Sequence, residues 1–98
     1  MFDNKRYITR GVSSEVPIEL QMSLWTLIED LPIEKDYLQV FKCSGENGKQ
    51  KIEHIQEEPE YKKEYLLEAD TIFIGKIFVI DDGDHATMLL SEEYWGGN

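Results

Sequence analysis

The sequence predicts an α+β domain: one amphipathic helix packed on a largely antiparallel sheet of about five strands. Three observations carry this. Apolar residues recur at spacings of three and four from Val16 to Leu31. Runs rich in β-branched and aromatic residues occur at Arg6–Arg10, Tyr37–Cys43, Gln50–Gln56 and Ile72–Ile80. Turn-rich junctions at Ser44–Lys49 and Asp81–Asp84 sit between strand-like runs, as hairpins require. With 98 residues, 41% of them hydrophobic, the chain has enough apolar material for one core, so a single domain over 1–98 is expected. Residues 1–5 and 95–98 are expected as loose ends.

Arg6–Arg10 reads as the first strand, broken by Gly11. Proline is tolerated in a first helical turn because its missing N–H would have no intrahelical partner there, so Pro17 starts the helix. The stripe Val16, Leu20, Leu24, Leu27, Ile28 and Leu31 faces the core, Trp25 lies at its rim, and Pro32 ends the helix near Asp30. Tyr37–Cys43 and Gln50–Gln56 form a hairpin around Asn47-Gly48. Within the first of these strands, Leu38 and Val40 share one face, and Tyr37, Gln39, Phe41 and Cys43 the other. Tyr61–Glu68 reads as a short helix with Tyr61, Tyr65 and Glu68 aligned; a loop with an edge strand is the alternative. Lys76–Ile80 is apolar enough on both faces to be central, and Ala86–Ser91 returns as the last strand. The expected core is Ile8, Leu20, Leu24, Leu27, Ile28, Leu38, Val40, Ile77, Val79 and Leu89.

Charge narrows the function classes. The formal net charge is −10, which disfavours direct nucleic-acid binding. Residues 1–52 hold eight acids and seven bases, whereas 53–98 hold twelve acids and three bases, so the acidic excess belongs to the second half. No apolar run is long enough for a membrane span. The one cysteine, Cys43, has no intrachain partner, and a cytoplasmic location is expected.

Three groups of residues carry possible chemistry. Asp82, Asp84 and His85 could ligate a divalent metal, yet Asp81-Asp82-Gly83-Asp84 is also ordinary turn chemistry and lacks the alternation of a calcium loop. His54 shares a face with Ile52 and Gln56, and with Cys43 it could form a nucleophile–base pair. No pocket-forming motif or phosphate loop accompanies it, so a hydrogen-bonded or surface histidine is the expectation. Lys5, Arg6 and Arg10, with Tyr7 among them, form a small basic group that could stack and pair with nucleic acid, but against the net charge they are expected to pair with the protein's own carboxylates. No catalytic residue and no cofactor is designated.

The order of motifs resembles a known family. Arg6-Tyr7-Ile8-Thr9-Arg10-Gly11-Val12 is followed by Gln21-Met22-Ser23-Leu24-Trp25, then Asp36-Tyr37-Leu38-Gln39-Val40-Phe41 and His54-Ile55-Gln56-Glu57-Glu58-Pro59. Lys76–His85, Thr87-Met88-Leu89-Leu90 and Glu92-Glu93-Tyr94 complete the series. Together they resemble the small Gram-positive bacterial family of domain of unknown function 960. The resemblance implies a bacterial intracellular protein and carries no catalytic role with it.

One helix is too narrow to roof such a sheet. The uncovered face is expected to hold Tyr37, Phe41 and Phe78 and to be covered by Tyr61–Leu67, by a second chain, or left as an apolar patch, which on a small protein marks a partner. The reading is therefore a protein-binding or self-associating module, with Tyr37, Phe41 and Phe78 as partner-binding anchors. The alternatives are a metal-dependent hydrolase built on Asp82, Asp84 and His85, or an acidic nucleic-acid mimic that binds a basic protein.

Overall fold

Six strands hydrogen-bond into one sheet in the computed structural model, which describes residues 2–96. In chain order the elements are β1 (Lys5–Ile8), α1 (Arg10–Glu15), α2 (Ile18–Glu29), β2 (Leu38–Glu46), β3 (Lys49–Gln56), β4 (Tyr61–Leu67), β5 (Gly75–Asp81), β6 (His85–Leu90) and α3 (Ser91–Gly96). The spatial order is β1-β6-β5-β2-β3-β4. Every neighbouring pair is antiparallel except β1 and β6, which run parallel from Lys5↔His85 to Ile8↔Met88. The architecture is thus a mixed α+β fold with one more strand than expected and with two short helices, α1 and α3, at positions where none was expected.

The β2–β3 hairpin turns where the sequence places it. Asn47 and Gly48 have φ of 53° and 77°, the pair of positive values that a two-residue turn between twisted strands needs. Strands β5 and β2 occupy the middle of the sheet, as the apolar run Lys76–Ile80 requires.

Helices α1 and α2 supply Val12, Leu20, Leu24 and Ile28 to the core. The sheet supplies Phe41, Cys43, Ile52, Ile77, Val79, Ala86, Met88 and Leu90. All of these strand residues share one face by the ladder register. Trp25 packs at the rim under the Arg6 guanidinium, 4.7 Å from the ring centroid, and Arg6 also pairs with Glu29.

Several expectations are corrected. β1 ends at Ile8: the Thr9 N–H still donates to Met88 O at 3.1 Å, but Thr9 caps α1, its Oγ1 accepting the Val12 N–H at 3.3 Å. Gly11 is inside that helix, not a break after a strand. Tyr61–Leu67 is an edge strand, not a helix. A spacing of four puts Tyr61 and Tyr65 on one face of either element, and their hydroxyls lie 3.3 Å apart. Residues 2–5 are held in place: Phe2 is 2% exposed, its N–H donates to Asp81 Oδ2 at 2.6 Å, and Lys5 begins β1. Trp95 falls within α3, while Met1, Gly97 and Asn98, the rest of the two expected loose ends, lie outside the described residues.

The expected core is right for Leu20, Leu24, Ile28, Ile77 and Val79, with Leu27 packed against it. Ile8 is 43% exposed at the sheet edge. Leu38, Val40 and Leu89 are half-buried on the other face. Among the described residues no helix is long and apolar enough to cross a membrane.

Candidate interaction face

The residue parity in β2 was legible, but its direction is the reverse of the expectation. Gln39, Phe41 and Cys43 point to the helices; Leu38 and Val40 point away. Phe41 is fully buried and stacks on His54 with ring centroids 4.4 Å apart. It is therefore no partner anchor. Phe78 does lie on the opposite face, but Tyr94 of α3 stands over it at 5.7 Å and leaves it 8% exposed. Tyr37, at the start of β2, is 54% exposed. The three residues do not form one site.

What forms instead is a continuous apolar band on the open face. One row runs Leu89–Phe78–Val40–Ile55 across β6, β5, β2 and β3. The row beside it runs Tyr7–Thr87–Ile80–Leu38 across β1, β6, β5 and β2. Neither α1 nor α2 covers this face, and α3 reaches it at the β5–β6 corner, where Tyr94 stands over Phe78. The signal for it was the alternation itself. It was missed because Leu38 and Val40 are as apolar as Phe41 and Cys43, and hydropathy alone does not orient such a strand.

The band is bounded by charge at both ends. At one end Lys42 and Lys76 are cross-strand partners, both exposed. Lys42 also faces Glu53, whose carboxylate is engaged by Lys62 at 2.9 Å. At the other end stand Asp36, just before β2, and Asp82, just after β5; the Asp81 N–H to Tyr37 O bond continues the β2–β5 ladder between them. Exposed Glu57, Glu58 and Glu60 occupy the β3–β4 turn at the same end.

The Asp81–His85 segment is a turn in which most donors are already used. Asp82 Oδ1 accepts the N–H groups of Asp84 and His85, each at 3.1 Å, and Asp82 Oδ2 lies 3.2 Å from His85 Nε2. The backbone bond from His85, ahead of the opposing cost of burial, holds the Asp82 carboxyl below its usual range. Asp81 turns inward. Burial pushes its carboxyl up, but N–H donors from Gly83 and Phe2 and the Asn4 amide outweigh that and lower its pKa. Among the described residues no three His, Cys, Asp or Glu side chains are placed to hold a metal ion together. The carboxylates of residues 53–93 are divided between turns, the open face and inward-pointing positions rather than gathered in one row.

His54 sits in a buried polar chain between sheet and helices. Gln56 Nε2 donates to the carbonyls of Glu34 and Pro59, and its Oε1 accepts from Asp36 N–H and Gln39 Nε2. Gln39 Nε2 also donates to Asp36 O, so Gln39 Oε1 is left as the acceptor for His54 Nε2, 2.7 Å away. His54 therefore carries its proton on Nε2, and the buried Nδ1 lone pair has no hydrogen-bond partner. Burial lowers the His54 pKa to about 4 and raises that of Cys43 to about 12. Cys43 pairs across β2–β3 with Ile52, and His54 with Phe41. A protonated thiol beside an imidazole already committed to Gln39 is not an activated nucleophile.

A groove of about 290 Å³ lies between the start of α2 and the β4–β5 connection. Gln50 forms part of its wall, but its amide already bonds the backbone of Ser44, Lys51 and Phe73.

Comparison with known proteins gives two matches. A family model described as a staphylococcal protein of unknown function, DUF960, matches residues 5–93. The crystal structure of a protein of unknown function from Enterococcus faecalis is similar at 31% identity and a TM-score of 0.82, covering 93% of this chain and 91% of that one. No curated protein matches the chain.

Proposed function

The chain belongs to the DUF960 family, and on that premise we propose that it is a binding module without catalytic activity that docks a protein through its open sheet face. The observation that carries this reading is the apolar band Leu89–Phe78–Val40–Ile55 with Tyr7, Ile80 and Leu38 beside it, on a face neither α1 nor α2 roofs. Apolar area withdrawn from water is worth about 25 cal/mol per Å², and contiguous apolar patches on small proteins mark partners. The flanking charges define the partner's chemistry. Its surface is apolar in the middle, basic toward Asp36 and Asp82, and acidic toward Lys42 and Lys76. Cys43, free and buried, suits a reducing compartment, and the cytosol is the proposed location.

Photocrosslinking from the open face tests this. A benzophenone side chain replacing Val40 is expected to form a protein adduct in cell extract. The same probe at Met22, exposed on α2, is expected to form none, and adding Ile80→Asp is expected to abolish the Val40 adduct. Equal adducts from positions 40 and 22, or none from 40, would count against the docking face.

A further inference from the structure

We propose that the occupant of the open face is a second copy of this chain, bound face to face about a two-fold axis that crosses the strands. This rests on the docking face argued above and names what fills it. The face is its own complement. Lys42 and Lys76 stand opposite each other in register; Glu53, across from Lys42, attracts it but is engaged by Lys62, and among the described residues no direct ion pair holds either lysine. Like charges directly across a ladder repel, and opposing carboxylates would relieve them. Two apolar rows away, at the other end of the same two strands, stand Asp36 and Asp82, whose charged carboxylates also accept backbone N–H bonds, from Tyr37 and Glu58 and from Asp84 and His85.

Symmetry then selects one arrangement. A two-fold axis normal to the sheet brings no faces together. An axis along the strands lays lysines on lysines and aspartates on aspartates. An axis lying in the interface and crossing the strands exchanges the two ends. It sets Lys42 and Lys76 of each copy toward Asp36 and Asp82 of the other, an isologous contact with opposite charges paired at both rims. The same rotation lays Leu38 over Val40 and sets Ile80 against Tyr94, which stands over Phe78. It also carries α3, with Glu92, toward the β1–β6 corner where Lys5 and His85 are partners in register. Face-to-face sheets pack about 10 Å apart with strands roughly 30° from alignment, and in such a contact Tyr94 lies between the two sheets.

The area sets the strength. Four strands about 4.8 Å apart, each contributing about six residues at about 3.4 Å, make a patch on the order of 400 Å² per copy. That is about half of the roughly 800 Å² per partner of a standard specific interface, so the dimer is weak and concentration-dependent. Its charged rims make it sensitive to salt.

Sedimentation equilibrium of the full chain over a wide concentration range tests the proposal. A monomer–dimer equilibrium that weakens with added salt is expected. Lys76→Glu is expected to weaken it several-fold and Lys42→Glu with Lys76→Glu tenfold or more, and mixing the Lys76→Glu variant with Asp82→Lys is expected to restore association. Because Asp82 also shapes its turn, Val40→Glu is a second probe, expected to give a folded monomer by circular dichroism. A wild-type chain that stays monomeric throughout, or a dimer indifferent to both the lysine and Val40 variants, overturns the proposal. If the chain is monomeric while the Val40 crosslink still captures a protein of different mass, self-association fails and the docking face stands.

Discussion

The carboxylate of Glu93 accepts a hydrogen bond from the backbone N–H of Gly11 at 3.0 Å, across 82 residues of chain. Its other oxygen accepts the Thr9 hydroxyl at 2.6 Å and the Leu90 N–H at 2.8 Å. One side chain in α3 thus ties the start of α1 to the end of β6. Burial pushes this carboxyl up, but the bonds from Thr9, Leu90 and Gly11 outweigh it and lower the pKa.

This contact explains a glycine inside a helix. A Cβ on Gly11 would come within 2.6 Å of Glu93 Oε2 and 2.8 Å of Leu90 Cδ1. Gly11→Ala should gain about 1 kcal/mol of helix propensity and still lose stability, by about 1–3 kcal/mol net. Glu93→Gln turns one acceptor into a donor facing donors and should cost about 1–3 kcal/mol. Urea unfolding at neutral pH measures both; a more stable Gly11→Ala would show that the contact yields freely.

His54 makes stability pH-dependent. Its pKa falls from an ordinary 6.5 to about 4 because burial disfavours the charged ring, and Nδ1 has no acceptor for a second proton. The unfolded chain therefore binds more protons between these values. Stability should be unaffected by this group above about pH 6.5 and should fall on acidification toward pH 4, by on the order of 3 kcal/mol. Glu93 and Asp81 add acid lability at lower pH, because their lowered folded pKa values yield stability that is lost as the carboxylates protonate. The check is urea unfolding at several pH values, in which His54→Gln should flatten the slope between pH 6.5 and 4 and leave the carboxylate limb.

Gln50 acts as a side-chain rung. Its Oε1 accepts the Phe73 N–H at 2.8 Å, and its Nε2 donates to Phe73 O at 3.0 Å, to Ser44 O and to Lys51 O. Gln50→Leu keeps the volume but leaves the buried Phe73 N–H unpaired, at a cost of about 3 kcal/mol. Hydrogen exchange should show protection lost first at Phe73, ahead of the central strands β2 and β5. Unchanged exchange at Phe73 would show that the segment is held by its apolar contacts alone.

Local pattern made much of the fold legible. The 3.6-residue stripe placed α2, Pro32 bounded it, Asn47-Gly48 placed the hairpin, and Asp81–Asp84 placed the last turn. β4 was misread because Tyr61 and Tyr65 align at a spacing of four in a helix and in a strand alike. α1 was missed because six residues, RGVSSE, have too little apolar period to announce a helix; it exists through the Thr9 cap and the Glu93 tie.

The candidate face was half legible. Alternation said which residues of β2 travel together, and that grouping is correct: Leu38 with Val40, Gln39 with Phe41 and Cys43. It did not say which group turns inward, because both are apolar enough to be buried. Gln39, Gln50, His54 and Gln56 are buried although polar.

By itself the sequence determined periodicities, breaks, turn chemistry and net charge, since each depends on residues a few positions apart. Tertiary structure decided the inward face, the parallel pairing of β1 with β6, and the lysine and aspartate rims of the open band. The reason is physical: a buried glutamine or histidine is tolerable only when its partners arrive. Those partners, the carbonyls of Glu34, Asp36, Pro59 and Phe73, come from segments brought near only when the chain has folded.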